Sequence, residues 1–102
     1  MIKNTTPDNL LNKLSSIGQG IVEELDIEAV HKTIGQNVEK YRKEKRMSQL
    51  ELSLKLGHKS VSIVASAERF YKKKHFNIEH LIKIAHILDV DICEFFKSNT
   101  KV

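Results

Sequence analysis

The chain has little of what covalent cross-linking or membrane insertion would need. Its 102 residues include a single cysteine, Cys93, so an internal disulfide cannot form. No apolar run approaches the roughly 20 residues that a membrane-spanning helix requires. No apolar signal segment follows Met1, and we therefore expect a cytoplasmic protein with no membrane partner. With 40% apolar residues, a chain of this length can bury the core of one compact domain.

Recognisable catalytic and metal-binding patterns are also missing. The sequence contains no glycine-rich phosphate loop, no Gly-x-Ser-x-Gly elbow and no His-Glu-x-x-His pattern. Its histidines do not suggest zinc, because His80 and His86 point about 240° apart on a helix. His75, His80 and Cys93 match no established zinc spacing. We expect no enzyme activity, no cofactor and no metal site.

Positive charge is concentrated in the middle of the chain. Residues 40–75 hold 11 Lys and Arg against 3 Asp and Glu, whereas residues 1–39 and 76–102 carry net charges of −3 and −1. Two dense runs account for most of the excess, namely Lys40, Arg42, Lys43, Lys45 and Arg46, followed by Arg69, Lys72, Lys73 and Lys74. Cations at a helix C-terminus suit the helix dipole, but this density exceeds that need. The distribution predicts a polyanionic partner at one face.

Helical periodicity runs through most of the chain, and no alternation of polar and apolar residues is long enough for a strand. Asp26 and Asn77 are suitable N-caps for two helices. The predicted buried faces of these helices are Ile27, Val30, Ile34, Val38 and Tyr41 in the first, and Ile78, Leu81, Ala85 and Leu88, with Ile84 beside them, in the second. A last short helix should begin at residue 91, and its inward-facing residues are Ile92, Phe95 and Phe96. The predicted fold class is all-α.

Residues 10–25 form a separate amphipathic stretch. An apolar stripe at helical spacing consists of Leu10, Leu14, Ile17, Ile21 and Leu25. Gly18 and Gly20 should bend or interrupt this helix. Three alternatives stay open, since the stripe could pack as an extra layer on its own domain, form a dimer contact or be disordered. We therefore divide the chain into a partly helical arm at residues 1–26, a domain at residues 27–98 and a tail at residues 99–102.

The segment from Ser48 to Glu68 reads as two short helices joined by a turn. Ser48 and Glu51 form a capping-box pattern, and Gly57 suits a left-handed position at the end of the first helix. Ser60 can cap the second helix, at about residues 60–69, which consists mostly of Ser, Val and Ala. Small side chains let a backbone approach another surface closely, and basic residues lie on both sides. The segment therefore favours insertion into a groove of DNA.

Residues 31–96 resemble the helix-turn-helix family of phage Cro and repressor proteins, often called the Xre family. The matching segments are Ile34-Gly35, Tyr41-Arg42-Lys43-Glu44-Lys45, Met47-Ser48-Gln49, Glu51-Leu52, Lys55-Leu56-Gly57, Ala67-Glu68 and Lys83-Ile84-Ala85. The resemblance implies a compact five-helix domain, here with an extra N-terminal helical segment. It also implies a homodimer that binds double-stranded DNA, with the first motif helix over the backbone and the second in the major groove.

The register of the second motif helix has two alternatives, because the turn after Gly57 is one residue longer than in typical members. One alignment places Val64 and Ala67 in the core and Glu68 at the family's glutamate position, whereas the ungapped alignment buries Ile63 instead. The candidates for base reading are Lys59, Ser60, Ser62 and Ser66. The candidates for phosphate contact are Arg42, Lys45, Arg46, Ser48, Gln49, Lys55, Arg69, Lys72, Lys73 and Lys74. Gln49 is included because it matches a position that often binds phosphate in the family.

The function predicted from the residues and the resemblance together is a sequence-specific DNA-binding transcriptional regulator, acting as a repressor. Two alternatives stay open. The chain could be an antitoxin that represses its own operon and binds a toxin through residues 10–25. It could also be a protein-interaction module that no longer binds DNA. A gel shift with random duplex at low salt distinguishes the last alternative from the others.

Overall fold

The computed structural model describes residues 25–98. The helices in that range are α1 (Ile27–Glu44), α2 (Gln49–Lys55), α3 (Ser62–Arg69), a 3-10 helix (Tyr71–Lys73), α4 (Ile78–Leu88) and a second 3-10 helix (Ile92–Phe96). The all-α prediction is confirmed for these residues, while the predicted fifth helix is only a short 3-10 helix. None of the helices described is long and apolar enough to cross a membrane. The predicted helical stripe at residues 10–25 lies outside the described residues, except for Leu25.

Local side-chain caps start three of the α-helices at the predicted positions. The Ser48 hydroxyl accepts a hydrogen bond from the Glu51 N–H at 3.0 Å, and the Glu51 carboxylate accepts one from the Ser48 N–H at 3.2 Å. Asn77 and His80 form the same reciprocal pattern at the start of α4, whereas at the start of α1 the Asp26 carboxylate accepts a hydrogen bond from the Ala29 N–H. The prediction for Ser60 is wrong, because α3 begins at Ser62 after the N-cap position of residue 61.

A single core joins α1, α2, α3, α4 and the second 3-10 helix. Its buried residues are Ile34, Val38, Leu52, Leu56, Val64, Ala67, Phe76, Leu81, Ile84, Ala85, Leu88 and Phe95. Four residues predicted to be buried are exposed instead, namely Ile27, Val30, Ile78 and Phe96. Ile27, Val30 and Ile78 lie in the first turns of α1 and α4, at the ends of these helices. The tight 3-10 turn places Phe95 inward and rotates Phe96 outward by about 120°.

The close packing of α1 against α3 depends on Gly35. A Cβ atom at this position would lie 2.6 Å from the carbonyl oxygens of both Ala67 and Glu68. Only a residue without a side chain lets the backbone of α3 approach α1 so closely. Gly35 therefore fixes where α3 lies and which of its faces points away from the core.

The second 3-10 helix is attached to α1 by polar side chains. The buried Asn37 amide donates hydrogen bonds to the carbonyl oxygens of Phe95 and Lys97, each at 2.8 Å. The Tyr41 hydroxyl donates to the Glu94 carboxylate at 2.7 Å. A hydrogen bond from Lys97, and then the one from Tyr41, lowers the pKa of Glu94. These contacts join the last residues that the structure describes to α1.

Candidate nucleic-acid interface

The burial pattern of α3 resolves its register. Val64 is 0% exposed, and Ala67 and Glu68 are each 2% exposed, whereas Ile63 is only partly buried. The alignment with the longer turn is therefore confirmed, and the ungapped one is wrong. Successive residues of an α-helix are rotated by about 100°. Ser62, Ser66 and Arg69 consequently share the face of α3 opposite the buried one.

The four predicted base-reading residues lie at the N-terminal part of this face and in the turn before it. Lys59, Ser60 and Ser62 are exposed, and Ser66 is partly buried. The hydroxyl oxygens of Ser60 and Ser62 are 2.9 Å apart, so one hydroxyl donates to the other. The Ser60 hydroxyl also accepts a hydrogen bond from the Ser62 N–H at 3.4 Å, whereas the Ser62 hydroxyl keeps a lone pair for an outside donor. The surface of α3 here is small, polar and able to approach another molecule closely.

Arg42 is not a free cation. Its Nε donates to Glu68 at 2.7 Å, its Nη2 donates to the same carboxylate at 3.0 Å, and its Nη1 donates to the Met47 carbonyl oxygen at 2.8 Å. The residue is 6% exposed. The prediction that Arg42 contacts phosphate is therefore wrong, because its guanidinium is already bound to a buried carboxylate. The carboxylate that binds it is that of Glu68, which is 2% exposed.

Gln49 and Ser48 at the start of α2 also take part in internal hydrogen bonds. The Gln49 amide donates to the Glu68 carboxylate at 2.9 Å, which ties α2 to α3. The Ser48 hydroxyl accepts from the Glu51 N–H, yet its own hydrogen can still be donated outward. Both residues remain predicted phosphate contacts, although the Gln49 amide already donates one hydrogen bond to Glu68.

The other predicted phosphate contacts are exposed cations. They are Lys45, Arg46, Lys55, Arg69, Lys72, Lys73 and Lys74. The Lys73 ammonium lies 3.2 Å from the Glu28 carboxylate of α1, so part of its charge is already compensated. The Lys72 ammonium lies 5.4 Å from the centre of the Tyr71 ring. Both groups are open to solvent, where such contacts are weak and exchange readily.

The loop after α3, residues 70–75, is attached to α1 through aromatic rings. The ring centres of His31 and His75 are 3.8 Å apart, and Phe70 lies 6.0 Å from His31 and 6.3 Å from His75. Burial, and then the charge of His75, lowers the pKa of His31. Phe70, Lys72 and Lys73 adopt left-handed backbone angles, with φ of 56°, 51° and 63°. The stack therefore holds a sharply turning, lysine-rich loop beside α3.

A cleft of about 420 Å³ lies between α3 and this loop. Its lining residues are Ser62, Ile63, Ser66, Ala67, Lys74 and His75. Two of the predicted base-reading serines and one predicted phosphate contact therefore border the same cleft. The arrangement combines hydroxyl donors, an ammonium group and an imidazole around a shallow apolar floor, which suits an anionic ligand.

A family model described as helix-turn-helix matches residues 38–95, more than half of the chain. The chain belongs to the helix-turn-helix family of the Xre and Cro type. This family is one of DNA-binding regulatory domains rather than of enzymes. The helix-turn-helix motif itself is α2, the turn at residues 56–61 and α3. No curated protein and no solved structure matches the chain significantly.

Sequence reasoning missed the partners of the helix-turn-helix motif that come from α1. Arg42 and Glu68 are 26 positions apart, and His31 and His75 are further apart still, so no local spacing connects them. For the first pair the resemblance offered a partial signal, because Arg42 and Glu68 both lie in segments that match the family. For the histidine stack the sequence offers no comparable signal, because its partners meet only once α1 and the loop are packed together.

A further histidine contact joins the motif turn to α4. The ring centres of His58 and His80 are 5.8 Å apart, in an edge-to-face arrangement. Burial, and then the charge of His58, lowers the pKa of His80. Across residues 25–98, no three His, Cys, Asp or Glu side chains lie close enough to hold a metal ion.

Proposed function

We propose that the chain is a cytoplasmic, sequence-specific transcriptional repressor that binds double-stranded DNA as a homodimer and inserts α3 into the major groove. The observation that supports this most directly is the free face of α3. Ser62, Ser66 and Arg69 lie opposite the buried residues of that helix, within the segment of net charge +8. A helix with small polar side chains, flanked by exposed cations, fits a major groove, which is wide enough to admit an α-helix.

The cations supply affinity that does not depend on sequence. Exposed cations lie at both ends of α2, namely Lys45 and Arg46 before it and Lys55 at its last position. Two more, Lys72 and Lys74, follow α3. A duplex lying along α3 could therefore be contacted at its phosphates from both sides. Each neutralised phosphate releases condensed counterions into solution. The resulting entropy gain drives binding and makes it sensitive to salt.

Ser62 and Ser66 supply the part of the affinity that depends on the DNA sequence. A serine hydroxyl makes a single hydrogen bond to a base edge, unlike the bidentate pair between arginine and guanine. Arg69, on the same face of α3, could add such a bidentate contact. Direct readout by Ser62 and Ser66 alone should be modest, and sequence-dependent DNA shape would add to it.

Repression requires only that the protein occupies promoter DNA, whereas activation requires a second contact to the transcription machinery. A homodimer would read two half-sites about one helical turn apart on a partly symmetric operator. Dimerisation doubles the contacts, which compensates for the modest readout by each copy.

The test is selection of bound sequences from a random pool of duplexes. We expect enrichment of a partly symmetric motif with half-sites about one helical turn apart. Ser62→Ala should change the preferred bases, whereas Lys72→Ala should reduce the retained DNA without changing the motif. Lys83→Ala, which removes an exposed lysine from α4, is the matched control and should change neither.

Three outcomes contradict parts of this proposal. Retention of DNA without any enriched motif would show that binding is not sequence-specific. An enriched single half-site would argue against a dimer. Failure to retain any duplex at low salt would favour a protein-interaction module instead.

A further inference from the structure

We propose that His75 is a proton-dependent ligand for a DNA phosphate in the cleft beside α3, so that DNA binding takes up a proton. This inference rests on the proposed function, and it adds a ligand that the cation pattern does not reveal. It predicts that the affinity for DNA increases as the pH falls through the range in which histidine gains charge.

The cleft supplies donors from two directions. Ser62 and Ser66 border it from α3, and Lys74 and His75 border it from the loop. A phosphate group carries oxygens on all sides and is bound best by several donors that converge on it. The cleft lies next to the face of α3 proposed to enter the groove, where the duplex backbone would pass.

The hydrogen bond of His75 determines which of its nitrogen atoms titrates. Nδ1 of His75 lies 2.9 Å from the carbonyl oxygen of Lys73. Because a carbonyl oxygen can only accept, Nδ1 must carry the hydrogen, and Nε2 is the nitrogen that gains or loses a proton. Neutral Nε2 offers a lone pair, which repels a phosphate oxygen. Protonated Nε2 donates a charge-assisted hydrogen bond to it.

His31 provides a neutral surface beneath this ring. Its Nδ1 is buried without a hydrogen-bond partner, so adding a proton there would create a buried donor with no acceptor. Burial, and then the charge of His75, lowers the pKa of His31. Two positive rings stacked at 3.8 Å would also repel each other. Protonation of His31 is therefore disfavoured, and the ring of this pair that is exposed and borders the cleft is that of His75.

The other charged groups around His75 set the direction of the effect. On α1, Glu28 is paired with Lys73, and the Lys32 ammonium lies 5.9 Å from the centre of the Phe70 ring. In the loop, Lys74 lines the same cleft. From α3, the facing side chains of Ser62 and Ser66 carry no charge. In the free protein the nearby lysines oppose a further positive charge, and a bound phosphate reverses that balance.

The experiment measures the affinity for a fluorescein-labelled, random-sequence duplex by anisotropy at constant ionic strength. The affinity of the wild-type chain should rise about three- to tenfold per bound subunit between about pH 8 and about pH 6, since one linked proton changes affinity by at most tenfold per pH unit. His75→Asn should lose this increase. His75→Lys, which carries a permanent charge, should bind at about pH 8 at least as tightly as the wild type and show no increase.

Two matched variants and circular dichroism complete the test. His86→Asn removes an exposed histidine from α4 and should keep the wild-type pH response. His58→Asn removes the histidine of the motif turn and should keep it as well. Circular dichroism at each pH shows whether every variant is folded. If His75→Asn disturbs the loop, His75→Lys still tests the role of His75 in the pH response.

The outcomes separate the two proposals. If the wild type binds no duplex at any pH, both the proposed function and this inference are wrong. If the wild type binds but its affinity is independent of pH, or decreases as the pH falls, only the inference fails. A pH response that survives His75→Asn, or that is lost in His58→Asn instead, would also overturn the role of His75 while leaving DNA binding intact.

Discussion

Glu68 accepts three side-chain hydrogen bonds inside the protein, two from Arg42 and one from Gln49. These contacts offset the loss of water around a buried carboxylate. They also join α1, α2 and α3 at a single point. At the scale of residues, this network orients the helix-turn-helix motif, because it links both motif helices to the longest helix of the domain.

Removing one member of the pair should be much more costly than removing both. Arg42→Met leaves the Glu68 carboxylate buried without its main partner and should lower the free energy of unfolding by about 3–5 kcal/mol. The double variant Arg42→Met/Glu68→Leu should recover most of that loss, since no unpaired charge remains. Urea unfolding of the two single variants and the double variant measures the coupling.

Lys43→Met is the matched control for this cycle. Lys43 is an exposed neighbour on α1 that lies 3.4 Å from Glu39, and its removal should change stability by less than about 0.5 kcal/mol. If Arg42→Met lowers the free energy of unfolding no more than Lys43→Met does, the buried Glu68 carboxylate must be stabilised by other groups.

His31 predicts how stability depends on pH. Burial, and then His75, lowers the folded-state pKa of His31 below the ordinary value of 6.5. A group with a lowered folded-state pKa stabilises the fold fully above its unfolded-state pKa, and this contribution is lost as the pH falls through the folded-state value. His31→Phe keeps an aromatic ring but cannot titrate, so it should reduce the loss of thermal stability between about pH 7 and about pH 5. Thermal unfolding across that range is the measurement, and an unchanged pH dependence would contradict the prediction.

Close packing of α1 on α3 is the feature that matters at the scale of elements. The contact at Gly35 leaves no room for a side chain, and the Arg42 pair lies two turns further along α1. Together they fix both the distance and the rotation of α3. The free face with Ser62 and Ser66 is therefore set by α1, whose one predicted phosphate contact, Arg42, is buried.

Gly35→Ala should destabilise the protein even though alanine is the better helix former. The gain in helix propensity is about 1 kcal/mol, but the added Cβ would lie 2.6 Å from two backbone carbonyl oxygens. Forcing the helices apart should give a net loss of about 1–3 kcal/mol, measured by urea unfolding. Gln36→Ala, at the adjacent exposed position, should be neutral or slightly stabilising, and a stable Gly35→Ala variant would show that α3 can shift freely.

The elements that could be predicted from the sequence are those determined by local chemistry. The capping box of Ser48, the caps at Asp26 and Asn77 and the left-handed Gly57 all depend on neighbours within a few residues. The exposed Phe96 could not be predicted, because its direction depends on the helix type, which the sequence does not reveal. In an α-helix Phe96 would lie about 40° around the axis from Ile92, whereas in the observed 3-10 helix it lies about 120° away. The exposed first turns of α1 and α4 were missed because periodicity identifies a face but not how far the core extends along it.

The candidate interface was predicted less completely, for two reasons. Counting charge treats every cation as exposed, so Arg42 was assigned to phosphate although its partner is 26 positions away. The register of α3 depended on one residue in the turn, and only the packing of Val64 and Ala67 decided between the alternatives. The stack of His31 and His75 involves no local pattern and follows entirely from tertiary packing.

For the whole molecule, the distribution of charge determines how it should respond to salt. With Arg42 buried and Lys73 paired with Glu28, the exposed cations around the motif and the following loop still greatly outnumber the anions. The logarithm of DNA affinity against the logarithm of salt concentration should have a slope steeper than about −2, since each phosphate contact contributes about −0.9.

Lys72→Ala should make that slope shallower by about one phosphate contact. Lys83→Ala removes an equal charge from α4, where it pairs with Glu79 at 2.8 Å, and should leave the slope unchanged. Anisotropy titrations at several salt concentrations measure both. Equal effects of the two variants would mean that net charge alone, rather than the position of the lysines, determines binding.

The left-handed loop after α3 also limits how the protein can be improved by mutation. Lys72 and Lys73 adopt backbone angles that glycine adopts without penalty, and each costs about 1–2 kcal/mol for a residue with a side chain. Glycine at either position would release that energy but would delete a positive charge beside the proposed DNA site. With the proposed phosphate contacts, a substitution that stabilises the protein at these two positions should weaken DNA binding, so stability and affinity would be in conflict there.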